Sequence, residues 1–183
     1  LKQVQAVKTN YQQKQTAMFD LMDDVKNKKA RVGSLEAILK NHSHFYAGVK
    51  SVLQEAERLG GIIGAVSEKL SFDSHYQTAL EIALGASSQH ITVEDEQAAT
   101  RAIEFLKRNR TGRATFLPLT TIKARHLPDH HQGSIEKSTG FLGLASSLVS
   151  YDKSLEHIFQ NLLGTTAIFD TVENARAAAR KVR

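Results

Sequence analysis

The fold is decided by two matching stretches, DSHYQTALEIALG at residues 73–85 and DKSLEHIFQNLLG at residues 152–164. Each begins with an aspartate, which commonly caps a helix, and ends twelve residues later with a glycine, which favours a left-handed helix stop. The apolar positions between these ends coincide. We therefore predict one amphipathic helix, used twice, with Gly85 and Gly164 both at helix C-termini and both with positive φ.

The sequences after the two glycines are also alike. Each continues as a short strand pattern and then an alanine-rich helix: HITVED and QAATRAIEFL in the first copy, TAIFDT and ENARAAARKV in the second. Two copies are too few for a solenoid, so they are expected to form a pseudo-twofold pair of subdomains. The fold class predicted from this pattern is a mixed α/β body.

The remaining elements of the body are predicted from local patterns. A 3.6-residue apolar period predicts a helix over 45–59, ended by the glycines at 60 and 61, and the apolar run 62–70 predicts one strand. ATFLPL at 114–119 predicts another strand. The polar stretch 126–139, between the two copies, is predicted to be a surface loop.

Residues 1–40 follow a different period. At one heptad position every residue is apolar: Val4, Tyr11, Met18, Val25, Val32 and Leu39. At a second heptad position, three residues further along, most residues are apolar: Val7, Lys14, Leu21, Lys28 and Leu35. A 3.5-residue seam predicts a coiled-coil helix projecting from the body, with its partner outside this chain. We place this arm at 1–44 and the body at 45–183, with subdomains at approximately 45–119 and 120–183, the second incomplete at its C-terminus.

Composition narrows the function classes. The 183 residues include no cysteine, which excludes thiolate metal sites and cysteine nucleophiles, and no apolar run is long enough for a membrane span. We expect a cytoplasmic protein. Glycine–lysine phosphate loops, dinucleotide-binding glycine motifs and hydrolase motifs are missing from the sequence, so we expect no catalytic residue, no cofactor and no ATPase activity from this chain.

Metal binding is not favoured either. The histidines at 42 and 44, and those at 126, 130 and 131, lack the converging carboxylate or cysteine ligands of a metal shell. We interpret them as solvated loop residues. The acidic run 94–96 lies where a strand meets a helix, and capping explains it better than a bound cation.

Two basic clusters are candidate nucleic-acid contacts. They are Lys107, Arg108, Arg110 and Arg113 after one predicted helix, and Arg176, Arg180, Lys181 and Arg183 at the end of the chain. Cations are also favourable at helix C-termini for local reasons, so each cluster alone has a structural explanation. The net charge of +5, of which +4 lies in residues 1–40, favours a polyanionic partner bound through its backbone.

The glycine pairs 61/64 and 140/143 are too sparse for phosphate loops. Tight turns or close backbone packing explain them better. We take Gly85, Gly140, Gly143 and Gly164 as candidate structural or interface glycines.

The order of these segments resembles the hinge domain of bacterial SMC (structural maintenance of chromosomes) proteins. The resemblance covers residues 45–183, and its most specific segment is GRATFLPL at 112–119. Other matching segments are FYAGVKSVL at 45–53, GGIIGAVSEKL at 60–70, ITVEDEQAATRAIEFLK at 91–107, GFLGLASSLVSYD at 140–152 and LLGTTAIFDTVENARAAAR at 162–180.

The resemblance implies a dimerisation hinge at the far end of an antiparallel coiled coil from ATPase heads that this chain does not contain. It implies a homodimer, a coiled-coil partner from the same parent chain, and sequence-nonspecific DNA binding in chromosome condensation and segregation, with the protein on the nucleoid. In the family the chain continues past the last helix with further strands and a glycine-rich segment central to dimer contact, so dimerisation of this fragment is expected to be impaired. The alternative from the residues alone is a nucleic-acid-binding adaptor on a coiled-coil stalk.

Overall fold

The computed structural model describes residues 2–182, and the chain divides into two compact units, Leu1–His44 and Phe45–Arg183. The first unit contains one long helix, α1 (Lys2–Lys40). A turn closes it, in which the Ser43 N–H donates to the Ile38 carbonyl at 3.2 Å. None of the described α1 residues is buried, so the whole apolar seam is exposed.

The second unit alternates short helices and strands. Its first part contains α2 (Ala47–Gln54), α3 (Ala56–Leu59), β1 (Ile62–Ala65), β2 (Leu70–Phe72), α4 (Gln77–Leu84), β3 (Ile91–Val93), α5 (Glu96–Asn109) and β4 (Phe116–Pro118). Its second part contains α6 (Asp129–Glu136), β5 (Phe141–Leu144), β6 (Val149–Tyr151), α7 (Glu156–Leu163), β7 (Ala167–Phe169) and α8 (Val172–Ala179). The mixed α/β class is confirmed.

The strands form three small sheets. In the largest, β3 lies between β1, which is antiparallel to it, and β4, which is parallel. In the second, β5 pairs antiparallel with β7, in the way that β1 pairs with β3. The third sheet pairs β2 with β6 and so joins the two copies.

The internal duplication extends to individual backbone hydrogen bonds. The Val66 N–H donates to the His90 carbonyl at 2.8 Å, and in the second copy the Ala145 N–H donates to the Thr166 carbonyl at 2.8 Å. A second backbone hydrogen bond is also present in both copies. The Gly61 carbonyl, just before β1, accepts from the Glu94 N–H, and the Gly140 carbonyl, just before β5, accepts from the Asp170 N–H, both at 2.9 Å. The two copies therefore share one backbone plan.

The predicted helix caps are present in both copies. Asp73 and Asp152 each accept a backbone N–H two residues later at 2.8 Å, at the start of the 3-10 turns that lead into α4 and α7. Asp95 caps α5 by accepting from the Ala98 N–H at 2.7 Å, and the equivalent Thr171 caps α8 by accepting from the Asn174 N–H at 3.2 Å. Within the acidic run 94–96, the capping interpretation is confirmed for Asp95.

Two hydrophobic cores hold the unit together. One is built by α2, β1, β3 and α5, with Val52, Ile91, Val93 and Ala102 fully buried. The other takes residues from both copies, with Leu80 of α4 packed in the same cluster as Ile158, Phe159 and Leu163 of α7. Burying such side chains contributes about 1.5–3 kcal/mol each, so the second core ties the two repeats together.

Two of the predicted elements are interrupted. The single strand predicted over 62–70 is wrong, because a 3-10 helix, Val66–Glu68, separates β1 from β2. The Glu68 carboxylate accepts from the Ala65 N–H at 3.2 Å and stabilises this turn. The single helix predicted over 45–59 is divided at Glu55, whose N–H donates to the carbonyl of Val52 instead of continuing the α-helical pattern.

The surface loop predicted over 126–139 is also wrong, because this stretch contains α6. Pro128 is extended and serves as the N-cap residue, and its carbonyl accepts from the Gln132 N–H at 3.0 Å. Ile135 is the buried residue of α6. One apolar anchor in a polar stretch gives too weak a periodicity to predict a helix.

Gly85 has the predicted positive φ of 49°, but the prediction for Gly164 is wrong, since its φ is −67°. The two loops differ in length: β3 begins six residues after Gly85, through the 3-10 helix Gly85–Gln89, whereas β7 begins three residues after Gly164. The shorter loop needs no left-handed residue. A side chain at Gly164 would instead collide with the carbonyl oxygens of Arg125 and Gln160.

Candidate interaction surfaces

The first basic cluster forms the end of α5 and the turn after it. Arg110 is the C-cap residue, in the left-handed conformation with φ 54°, and its N–H donates to the Leu106 carbonyl. Lys107, Arg108, Arg110 and Arg113 are all exposed, and within residues 2–182 none of them forms an ion pair. Their charges are therefore available to an external anion.

Close packing fixes the position of this turn. A Cβ atom on Gly48, in the first turn of α2, would collide with the backbone of Arg113. A Cβ atom on Gly112 would lie 3.3 Å from the Gly48 nitrogen. Because the backbones approach so closely, the turn is held against α2, and Arg110 and Arg113 are presented from a rigid support.

A small cleft of about 170 Å³ lies beside the basic turn. The Arg101 guanidinium donates to the carbonyls of Leu59 and Gly60 at 2.8 and 3.0 Å, and Arg58 lies over the Phe105 ring at 5.5 Å. Neither Arg58 nor Arg101 was predicted from the sequence. The signal for Arg101 was its spacing of seven from Arg108, which places both on one face of α5.

The second basic cluster lies at the end of α8, in the other repeat. Arg176, Arg180 and Lys181 are exposed, and Arg183 lies outside the described residues. The two clusters therefore lie at the ends of equivalent helices, α5 in one repeat and α8 in the other.

Gly140 immediately precedes β5, and Gly143 is the third residue of that strand. Their φ values are 77° and 155°, and a Cβ atom on Gly140 would collide with the Asp170 carboxylate. Gly61 and Gly64 repeat this arrangement in the first copy with φ values of 73° and 146°. Both pairs therefore have the backbone conformation that favours glycine.

Among the described residues there is no group of three or more histidine, aspartate or glutamate side chains that could hold a metal ion. His90 is half-buried before β3, and within residues 2–182 its Nδ1 atom has no hydrogen-bond partner. Burial lowers the pKa of His90 below its ordinary value of 6.5, because the charged imidazolium loses hydration.

The apolar seam of α1 is an exposed hydrophobic surface of the first unit. The two ends of its principal column, Val4 and Leu39, are 71% and 63% exposed, and Met18 and Val25 in the middle are each 50% exposed. Contiguous apolar surface of this kind marks a site for another helix. None of the described helices is long and apolar enough to span a membrane.

The model of the SMC proteins Flexible Hinge Domain family matches residues 59–179, about two thirds of the chain. The chain belongs to the SMC hinge family. It is 43% identical, over 94% of its length, to the Chromosome partition protein Smc of Bacillus subtilis, and 41% identical, over 97%, to the one of Lactiplantibacillus plantarum. The chain spans about 15% of the length of these relatives.

Solved SMC hinge structures share the fold. An asymmetric dimer of the Geobacillus stearothermophilus SMC hinge domain matches with a TM-score of 0.89 and 39% identity, covering 94% of this chain and 69% of that one. The Pyrococcus furiosus Smc hinge domain with an extended coiled coil matches with a TM-score of 0.62 and 31% identity, covering 82% and 53%. The expected resemblance to bacterial SMC hinges is confirmed.

Proposed function

We propose that this SMC hinge domain joins two coiled-coil arms by dimerisation, as part of a chromosome-organising protein that acts in chromosome condensation and segregation. The observation that carries the proposal is that one chain contains both a hinge-family body and a 39-residue helix, and the heptad seam of this helix is exposed along its length. The solved relative from Geobacillus stearothermophilus is a dimer, which supports the same assembly here.

The partner proposed for α1 is an antiparallel helix from another part of the parent protein. The Pyrococcus furiosus hinge with an extended coiled coil supports this role for the arm. An isolated helix with no buried residue gains little from its own hydrogen bonds, so pairing along the seam supplies most of its stability.

Sedimentation of the chain without nucleic acid tests the proposal. We expect concentration-dependent association, with Val25→Lys weakening contacts made through the arm, because a charge at the seam opposes apolar helix pairing. Asn27→Lys adds the same charge outside the seam and is the matched control. A monomer at all concentrations, in the chain and in the intact parent protein alike, would contradict the hinge role.

DNA binding is proposed as a second property of the domain. The exposed cations of the basic turn and of the α8 end fit backbone phosphates, and they are not interleaved with an aromatic base-stacking platform. The alternative proposed for the chain is an adaptor that binds nucleic acid nonspecifically. A hinge self-associates without nucleic acid, whereas an adaptor needs only phosphate contacts and does not have to self-associate. Sedimentation without nucleic acid therefore distinguishes the two functions.

The DNA proposal predicts binding that falls steeply with salt and ignores sequence. Reversing charge in Arg108→Glu/Arg110→Glu should lower the affinity and reduce the salt slope, by about one unit for each lost phosphate contact. Glu104→Gln, on the same helix, is a control that does not remove a cation. Fluorescence anisotropy with two unrelated duplexes measures both quantities, and an unchanged isotherm for the double variant would remove the basic turn from the interface.

A further inference from the structure

The cations of the first basic cluster are supported in two different ways. Lys107 and Arg108 belong to α5, so the hydrogen bonds of the helix fix their backbone. Arg110 and Arg113 come after α5, in a stretch, 110–113, that is neither helix nor strand. The position of these two side chains therefore depends on how the turn 110–113 is held.

The turn 110–113 is anchored by hydrogen bonds at both ends. At its start the Arg110 N–H donates to the Leu106 carbonyl of α5, and the Thr111 N–H donates to the same carbonyl at 3.3 Å. Just past its end, the Thr115 carbonyl accepts from the Ile91 N–H of β3 at 2.8 Å. Between these anchors the turn packs against α2.

The contact with α2 leaves no room for a side chain at Gly48. A Cβ atom there would collide with the carbonyl oxygen of Arg113 and would lie 2.7 Å from its nitrogen. An alanine therefore fits at residue 48 only if α2 or the turn moves. Because Val49 and Val52 of α2 are buried in the first core, α2 cannot retreat without disturbing that core, and the turn is the part that would yield.

The chain just before Gly48 is fixed as well. Phe45 is 7% exposed and belongs to the first core. The Tyr46 N–H donates to the side-chain oxygen of Gln89 at 3.0 Å. The start of α2 is therefore a fixed surface, against which the backbone of the turn rests.

A glycine inside a helix does not by itself imply such a contact. A Cβ atom on Gly133, in α6, would meet nothing within 4 Å. Glycine in a helix interior costs about 0.5–1 kcal/mol relative to alanine. At Gly48 this cost accompanies the close approach of the turn, whereas at Gly133 no neighbouring atom requires a glycine.

We propose that Gly48 is a positioning residue for phosphate binding, because it lets the backbone of the turn 110–113 rest on α2 and so holds Arg113 where it meets a phosphate group. The inference rests on the DNA binding proposed above and adds to it a buried, uncharged residue. A side chain with a fixed backbone loses less conformational freedom on binding, which raises the affinity. Arg108 is supported by α5 directly and is therefore independent of Gly48.

A double-mutant cycle on the chain, measured by fluorescence anisotropy with duplex DNA, tests the proposal. We expect Gly48→Ala to lower the affinity about threefold or more and to reduce the salt slope, because Arg113 no longer makes its full phosphate contact. In an Arg113→Gln background Gly48→Ala should have no further effect. In an Arg108→Gln background it should cause its full loss. A general loss of stability would not distinguish between the two arginines.

Gly133→Ala is the matched control, since it adds the same methyl group to a helix at a place with no neighbouring atom within 4 Å. We expect it to leave the DNA affinity unchanged and to raise the free energy of unfolding. If Gly48→Ala does not fold, Gly112→Ala perturbs the same contact from the side of the turn, since its Cβ atom would lie 3.3 Å from the Gly48 nitrogen. The same cycle with the two arginines then applies.

Two results would overturn the proposal while leaving the DNA interface in place. One is wild-type affinity in folded Gly48→Ala, and the other is an equal loss in the Arg113→Gln and Arg108→Gln backgrounds. In both cases each arginine variant alone still binds DNA more weakly than wild type. Unchanged binding in both arginine variants would instead remove the basic turn from the DNA interface, and the role of Gly48 would fall with it.

Discussion

At Gly164 the backbone is helical, with φ −67°, and the Arg125 carbonyl of the same polypeptide lies where a side chain would begin. At Gly85 the φ is 49° and the surrounding space is open. Equivalent glycines are thus needed for different reasons: close approach of another segment at Gly164, and an unusual backbone conformation at Gly85.

This difference predicts different responses to alanine. Gly85→Ala should cost about 1–3 kcal/mol of unfolding free energy through backbone strain alone. Gly164→Ala should cost a similar amount or more, because the added methyl group displaces the segment carrying Arg125. Chemical denaturation measures both costs, and amide exchange at Arg125 separates the causes: we expect protection to be lost in Gly164→Ala and kept in Gly85→Ala. Loss of protection in both variants would show that the two glycines act alike.

His90 gives the fold a pH dependence with a definite sign. Its pKa is lowered in the folded state by burial, so the unfolded chain binds more protons just below pH 6.5. The contribution of neutral His90 is therefore fully present above that pH and is lost as the pH falls toward the lowered pKa. We expect His90→Gln to flatten the fall in melting temperature between about pH 7 and pH 5. An identical fall in wild type and variant would show that His90 does not contribute.

The stability of α5 depends on the side chain of its N-cap residue, Asp95. This helix supports the basic turn at its C-terminus and buries Ala98, Ala102 and Leu106 against the first core. Asp95→Ala removes the carboxylate that accepts from the Ala98 N–H and should cost about 1 kcal/mol. Asp95→Ser keeps an acceptor and should cost less. Denaturant midpoints for the pair measure the cap, and equal midpoints for Asp95→Ala and wild type would contradict its role.

Elements with local signals were predicted well from the sequence. Asp73 and Asp152, each followed twelve residues later by a glycine, predicted the capped turns that lead into α4 and α7 and the ends of both helices, because both signals act within a few residues. The break at 66–68 was not predicted, since it depends on the Glu68 side chain reaching back to the Ala65 N–H within an otherwise apolar run.

For the molecule as a whole, the exposed cations could be predicted and the contact between α2 and the basic turn could not. Arg108 and Arg110 follow an amphipathic helix, and that position alone favours solvent exposure. Gly48 lies against the backbone of Arg113, far from it in the sequence, because the first core brings α2 and α5 together. That contact depends on long-range packing, which no local pattern encodes.

The β2–β6 ladder has a symmetry of its own. Its central pair is Ser71 with Ser150, and these two serines hold the same place in the two repeats. A strand paired about its own midpoint with its own duplicate is the arrangement found on the dyad of a symmetric dimer. The body is therefore built as a homodimer of two half-length units would be, but within one polypeptide. Because the halves are parts of one chain, each can carry its own loop, and the loops after Gly85 and Gly164 differ in length.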